Sequence, residues 1–123
     1  MTIIEAINRI DLIKPNTCTR QEKTRWLSTL DGLIKSEIID KHEGGENVVF
    51  KGYDEETDPT TVLLVPAPYD ELYLFWLESR IDYWNGEYAK YQNSYVMYNT
   101  SYAAFEKFYN KTHKPLIKKR FLF

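Results

Sequence analysis

Between residues 74 and 109 the apolar and aromatic positions follow one rule. Leu74, Leu77, Ile81, Trp84, Tyr88, Tyr91, Tyr95, Tyr98, Tyr102, Phe105 and Tyr109 alternate spacings of three and four without interruption. That is a heptad seam over five heptads, and it requires α-helix, because only a helix returns positions three and four apart to one face. As one unbroken helix, forty-odd residues at about 1.5 Å each make a rod of roughly 65 Å, longer than a compact domain of this size is wide. Asn85-Gly86 lies within the seam, where glycine costs about 1 kcal/mol against alanine in a helix interior, and the sequence leaves open whether the helix is unbroken, kinked or broken there.

The seam changes character along its length. Leu, Leu, Ile and Trp come first, then almost only Tyr, and nine of the ten tyrosines fall between Tyr69 and Tyr109. A buried tyrosine needs a partner for its hydroxyl, so a row of them suits half-wet surfaces and contacts between proteins. Two readings stand: the rings pack on the chain's other helices with hydroxyls outward, or Tyr95, Tyr98, Tyr102 and Tyr109 face a neighbouring subunit. Stacking on sugars or bases is a rival use of exposed tyrosines. The heptad spacing favours a helix partner.

Two helices precede the seam. Thr2 and Glu5 form a T-x-x-E capping box ahead of Ile3, Ile7 and Ile10, and Pro15 ends that helix. Thr19 and Glu22 repeat the device before Trp26, Leu30, Leu33, Ile34 and Ile38, with Leu27 widening the stripe. Gly44-Gly45 is the expected stop, with Lys41 and His42 in the last turn. Residues 46–65 change period. Val48-Val49-Phe50 and Thr61-Val62-Leu63-Leu64-Val65 flank an acidic, turn-rich stretch containing Tyr53, Asp54, Glu55, Glu56 and Asp58. This is an extended arm or a small β-hairpin, and a lone hairpin must lean on other elements. Pro66-Ala67-Pro68 is a stiff connector. The expected fold is mainly α: two short capped helices, a long C-terminal helix, and an inserted arm. Residues 1–113 form one helical domain with the arm at about 46–67, and 114–123 form a basic and apolar tail.

Composition narrows function. The 123 residues suffice for one domain. No apolar run is long enough to span a membrane, and the charged N-terminal stretch does not read as a signal peptide. One cysteine, Cys18, allows no internal disulfide, and two histidines with one cysteine exclude the common zinc frameworks. No cofactor is expected. The net charge of −2 conceals a split: residues 1–89 carry −8 and residues 90–123 carry +6. Lys111, Lys114, Lys118, Lys119 and Arg120 are candidates for an acidic neighbour or for DNA phosphates.

Catalytic signatures are missing from the sequence: it holds no phosphate-binding glycine loop, no H-E-x-x-H and no G-x-S-x-G. The carboxylates of residues 54–58 lack the alternate spacing and central glycine of a helix-loop-helix calcium site. Asp31 with Glu37, and Asp70 with Glu78, read as solvated helix residues. His42 reads as a solvated helix end and His113 as surface. Cys18 reads as a small residue in a turn, although a helix start lowers a thiol pKa. The chain is not expected to be an enzyme.

The run from Gly52-Tyr53-Asp54-Glu55-Glu56-Thr57-Asp58-Pro59 through Leu64-Val65-Pro66-Ala67-Pro68-Tyr69-Asp70-Glu71-Leu72-Tyr73 resembles small neck proteins of tailed bacteriophages and prophages. Asn85-Gly86-Glu87-Tyr88-Ala89-Lys90-Tyr91, Tyr109-Asn110-Lys111-Thr112-His113 and the two capped opening helices with Trp26-Leu27 fit the same group. The resemblance implies a head–tail connector, also called a neck adaptor or head-completion protein. Such proteins are mainly helical and form a ring of about a dozen copies under the portal. They extend the DNA channel and present a platform to the next neck or tail protein, without enzymatic activity or a required cofactor. The implied location is the virion neck, after synthesis in the bacterial host cytoplasm. In that setting residues 51–59 would reach toward a neighbour's basic surface. The competing function is a small nucleic-acid-associated protein that binds through its basic tail.

Overall fold

A computed structural model describes residues 1–116. The chain is mainly helical: α1 (Ile3–Ile13), α2 (Arg20–Glu37), α3 (Leu72–Trp84) and α4 (Tyr88–Thr112), with short 3-10 turns at Ile39–Lys41, Gly45–Asn47 and Tyr69–Glu71. No β-strand forms among the described residues, where the only pairings are isolated bridges between Thr2 and Val62 and between His42 and Pro115.

Both expected N-caps are present. The Thr2 hydroxyl accepts from the Glu5 amide at 3.2 Å, and the Glu5 carboxylate accepts from the Thr2 amide at 3.2 Å, so two otherwise unpaired donors are satisfied. The Thr19 hydroxyl accepts from the Glu22 amide at 3.1 Å. Each cap contributes about 1 kcal/mol. Ile3, Ala6, Ile7 and Ile10 are the buried face of α1. On α2 the buried face is Leu27, Leu30, Asp31 and Ile34, continued by Ile38, while Leu33 is exposed. α2 ends at Glu37, seven residues before the glycine pair. Gly44-Gly45 instead belongs to the following 3-10 turns, where a Cβ on Gly45 would lie 2.5 Å from the Ile39 carbonyl oxygen.

The heptad seam breaks at Asn85-Gly86. The Gly86 N–H donates to the Tyr83 carbonyl at 3.1 Å and the Glu87 N–H to the Asp82 carbonyl at 2.9 Å, with Gly86 at φ +73°. That pair of reversed bonds closes a helix end and needs a left-handed residue at its centre. The rod of roughly 65 Å therefore does not form. The two halves fold back as an antiparallel αα-hairpin, and the partner that the seam requires is its own other half. α3 is the centre of the molecule, in contact with the three other helices. Leu72, Tyr73, Leu74, Trp76, Leu77, Ser79, Ile81 and Asp82 are all buried on it. α4 is buried along one side only, through Ser94, Tyr98, Phe105 and Tyr109. At about 37 Å it overhangs the shorter α3.

Residues 48–65 are an extended strap, not a hairpin. The outgoing limb runs antiparallel to α2, with Phe50 against Gly32 and the Tyr53 N–H donating to the Ser28 hydroxyl at 2.9 Å. The returning limb crosses the start of α1. Ile3 and Ile4 donate to the carbonyls of Thr61 at 3.0 Å and Pro59 at 2.9 Å, and the Leu63 N–H donates to the Met1 carbonyl at 2.9 Å. The first turn of a helix has spare N–H donors. The returning limb finds acceptors' partners there, so the two β-rich runs do not pair with each other.

Candidate interaction surface

The strap is fastened at one buried carboxylate. Asp31 accepts from the Tyr53 hydroxyl at 2.6 Å, the Tyr73 hydroxyl at 2.6 Å and the Leu64 N–H at 3.1 Å. One side chain on α2 thereby joins both limbs of the strap to α3. The Tyr73 hydroxyl also accepts from the Val65 N–H at 2.8 Å. Burial pushes the Asp31 carboxyl above its ordinary value, against the lowering effect of its three donors. Burial and the adjacent Asp31 carboxylate push the phenols of Tyr53 and Tyr73 upward, so both remain donors. The expectation that Asp31 is solvated is thus corrected, and Tyr53 serves the chain's own interior. A heptad stripe drawn through apolar residues passes over an acidic position, although Asp31 sits one residue after Leu30 and three before Ile34 on the buried face.

The acidic tip of the strap is held in turns. The Asp54 carboxylate accepts from the Glu56 amide at 2.8 Å and the Thr57 amide at 3.1 Å. The Asp58 carboxylate accepts from the Thr60 amide at 2.8 Å, which lowers its pKa. Glu55 takes a hydrogen bond from Gln21 at the start of α2. Asp54, Glu55, Glu56 and Asp58 remain exposed. They present a fixed acidic surface, folded onto the body and not extended from it. Between this tip and α2 lies an open cleft of about 280 Å³, lined by Ile3, Arg20, Thr24, Asp54, Glu55 and Thr57 among others.

The tyrosines form a spine of ring contacts. Tyr83–Tyr91, Tyr91–Tyr95, Tyr95–Tyr98 and Tyr98–Tyr102 have centroids 5.3, 5.5, 5.6 and 5.9 Å apart. Such tilted pairs contribute about 0.5–1.5 kcal/mol beyond their buried area. Tyr98 packs on Trp76 at 4.9 Å, and Tyr109 stacks on His113 at 3.7 Å. Tyr98 and Tyr109 are buried within the chain, which corrects their assignment to a neighbour-facing surface: α3 and the segment around His42 already cover them. Tyr95 and Tyr102 are half-buried, and the Tyr102 hydroxyl donates to Glu37 at 3.4 Å. Burial pushes the phenols of Tyr98 and Tyr102 upward. The Arg80 guanidinium lies over this spine, 4.6 Å from the Trp76 ring centroid and 5.5 Å from that of Tyr91.

Two further polar residues escape a reading of the sequence. His42 is buried, not solvated. Its Nδ1 is 2.6 Å from the Ile38 carbonyl and its Nε2 2.7 Å from the Asn110 side chain, joining the end of α2 to α4. Asp82 is buried on α3, paired with Lys14 and accepting from the Ser94 hydroxyl at 3.1 Å. Their signal was position on a buried face combined with a partner distant in sequence, which no local pattern reports. His113 is half-buried on Tyr109. Burial pushes the Cys18 thiol up, opposite to the lowering that a helix start supplies.

At the far end of α4, Lys111 and Lys114 are exposed. The chain beyond is pinned to the turn after α2: Glu43 N–H donates to the Lys114 carbonyl at 2.7 Å and Leu116 N–H to the Lys41 carbonyl at 3.1 Å. Lys118, Lys119, Arg120 and the apolar residues Phe121–Phe123 lie outside the described residues. Among the described residues no group of three or more His, Cys, Asp or Glu is arranged to hold a metal ion, and no helix is long and apolar enough to cross a membrane. No family model, curated protein or solved structure matches the chain.

Proposed function

We propose that this chain is a structural protein of the neck of a tailed-phage or prophage virion. In this reading it is a head–tail connector without catalytic activity. It forms a homo-oligomeric ring under the portal, extends the DNA channel and docks the next neck or tail protein. The observation that carries the reading is the separation of two clusters of charged side chains on the molecule. The acidic tip at residues 54–58 is held at the N-terminal end of α2 through Gln21, and Lys111 and Lys114 lie past its C-terminal end, where Asn110 meets His42. Separate acidic and basic clusters on one subunit, each with some opposite charge beside it (Arg20 and Arg25 near the tip, Asp40 and Glu43 near the lysines), are suited to heterologous, head-to-tail contacts, which close into a ring when the rotation per subunit permits. The resemblance of residues 52–73 to neck proteins supplies the setting.

The test is co-assembly. The chain is mixed with the portal ring encoded beside its gene, and complexes are imaged by electron microscopy. A ring of added density beneath the portal is expected. A chain that remains monomeric at high concentration and also fails to bind the portal would end the proposal. The exposed Lys111 and Lys114 also favour a second reading, nucleic-acid association. It requires salt-sensitive DNA or RNA binding that is lost on removal of residues 114–123.

A further inference from the structure

The turn between α3 and α4 exposes more aromatic surface than any other described part of the chain. Trp84 is 66% exposed, Tyr88 61% and Tyr83 55%. Tyr83 and Tyr88 are in ring contact, with centroids 5.8 Å apart, and Trp84, next to Tyr83 in the chain, meets Trp26 of α2 edge-on at 6.5 Å. Large aromatic side chains grouped in this way mark interaction sites. This collar stands at the end of the αα-hairpin opposite to the one where residue 116 emerges beside Lys41.

We propose that the collar receives the segment after Pro115 of a second copy of this chain, with Phe121, Leu122 and Phe123 seated on Tyr83, Trp84 and Tyr88. Three arguments select this occupant. The segment Ile117-Lys118-Lys119-Arg120-Phe121-Leu122-Phe123 supplies three consecutive apolar residues. Its seven residues reach at most about 24 Å when extended. The span along α4 from residue 112 back to residue 88 is about 37 Å, so the segment falls short of its own collar and meets only a neighbour's. The contact joins opposite ends of two copies and is therefore heterologous, the kind that propagates or closes into a ring. Glu87, next to Tyr88, already holds Lys90 as its partner, so apolar burial is the main attraction. A single such contact is small, in the weak class below about 1,200 Å², and repetition around a closed ring supplies the avidity.

The inference rests on the proposed ring and names its contact. Two full-length variants test it by sedimentation velocity. One carries Trp84→Ser and Tyr88→Ser in the collar, and the other Phe121→Ser and Phe123→Ser in the segment. Thermal melts check that both remain folded, as expected for Trp84 and Tyr88, which are exposed. The unaltered chain should associate with rising concentration. Each variant alone should associate at least about thirtyfold more weakly, and a mixture of the two should give a one-to-one heterodimer that grows no further. An unaltered chain still monomeric at about 1 mM, a variant that associates like the unaltered chain, or a mixture that stays monomeric overturns the contact. Portal binding separates this contact from the neck assignment. A segment variant that still rings the portal removes the contact and leaves the neck role, whereas a heterodimer from a chain that never binds a portal does the reverse.

Discussion

Asp31 is the residue on which most depends. Replacing it with alanine leaves the Tyr73 hydroxyl, the Tyr53 hydroxyl and the Leu64 N–H without their acceptor. The expected loss is about 3–5 kcal/mol in urea denaturation, since each buried unpaired group costs about 1–3 kcal/mol. Asp31→Asn keeps the shape and removes the charge. The folded carboxyl binds its proton more tightly than the unfolded one, whose value is 3.8. Its contribution to stability is complete below that value and is lost as pH rises through the folded value. The native chain, compared with Asp31→Asn, should therefore be favoured more at about pH 4 than at about pH 7. Equal differences at both pH values would show that this carboxyl does not titrate with folding. Lys14→Ala leaves Asp82 buried without its cation and should cost about 3 kcal/mol, with Asp82→Asn in the same chain restoring part of it.

Among the elements, the hairpin turn and the strap behave differently under substitution. Gly86 has φ +73° and nothing within 4 Å of where a Cβ would stand, so Gly86→Ala meets backbone strain alone. A loss of about 1 kcal/mol is expected, with α3 and α4 intact by circular dichroism. Gly45→Ala meets the Ile39 carbonyl oxygen at 2.5 Å, and backbone cannot move aside as a flexible side chain can. That substitution should cost more than about 2 kcal/mol and shift the turn that pins residues 114–116. If the two variants melt alike, close approach is not the reason for glycine at position 45. The strap shows why β-rich runs do not by themselves make a hairpin. Its backbone donors and acceptors are shared with the start of α1, with Ser28 and with Asp31, so the limbs have no need of each other.

On the scale of the whole molecule, the charge split and the aromatic collar make opposite forecasts about salt. Contacts carried by the acidic tip and the basic end weaken steeply as ions screen them. Contacts carried by the collar do not. With the collar as the main contact, raising the salt from about 0.05 M to about 0.5 M should weaken self-association less than about tenfold. A larger loss would assign assembly to charge and leave Trp84 and Tyr88 without a role in it.

The sequence by itself determined the helices, the two caps and the one place, Asn85-Gly86, where the seam could break. These follow from local physics: a period of 3.6, side chains that reach the backbone three residues away, and a glycine able to take positive φ. It also marked the strap as the one non-helical excursion. Tertiary structure alone decided which way each face turned. The tyrosine seam is legible as a seam, but whether its partner is a neighbour or its own first half depends on how far the chain turns at Asn85-Gly86. Once it turned back, Tyr98 and Tyr109 went inside and Trp84 and Tyr88 were left out. Asp31, Asp82 and His42 were illegible for the same reason. A charged residue on a helix reads as solvated until a tyrosine hydroxyl, a lysine or an asparagine from far along the chain arrives to satisfy it, and only folding brings those partners within 3 Å.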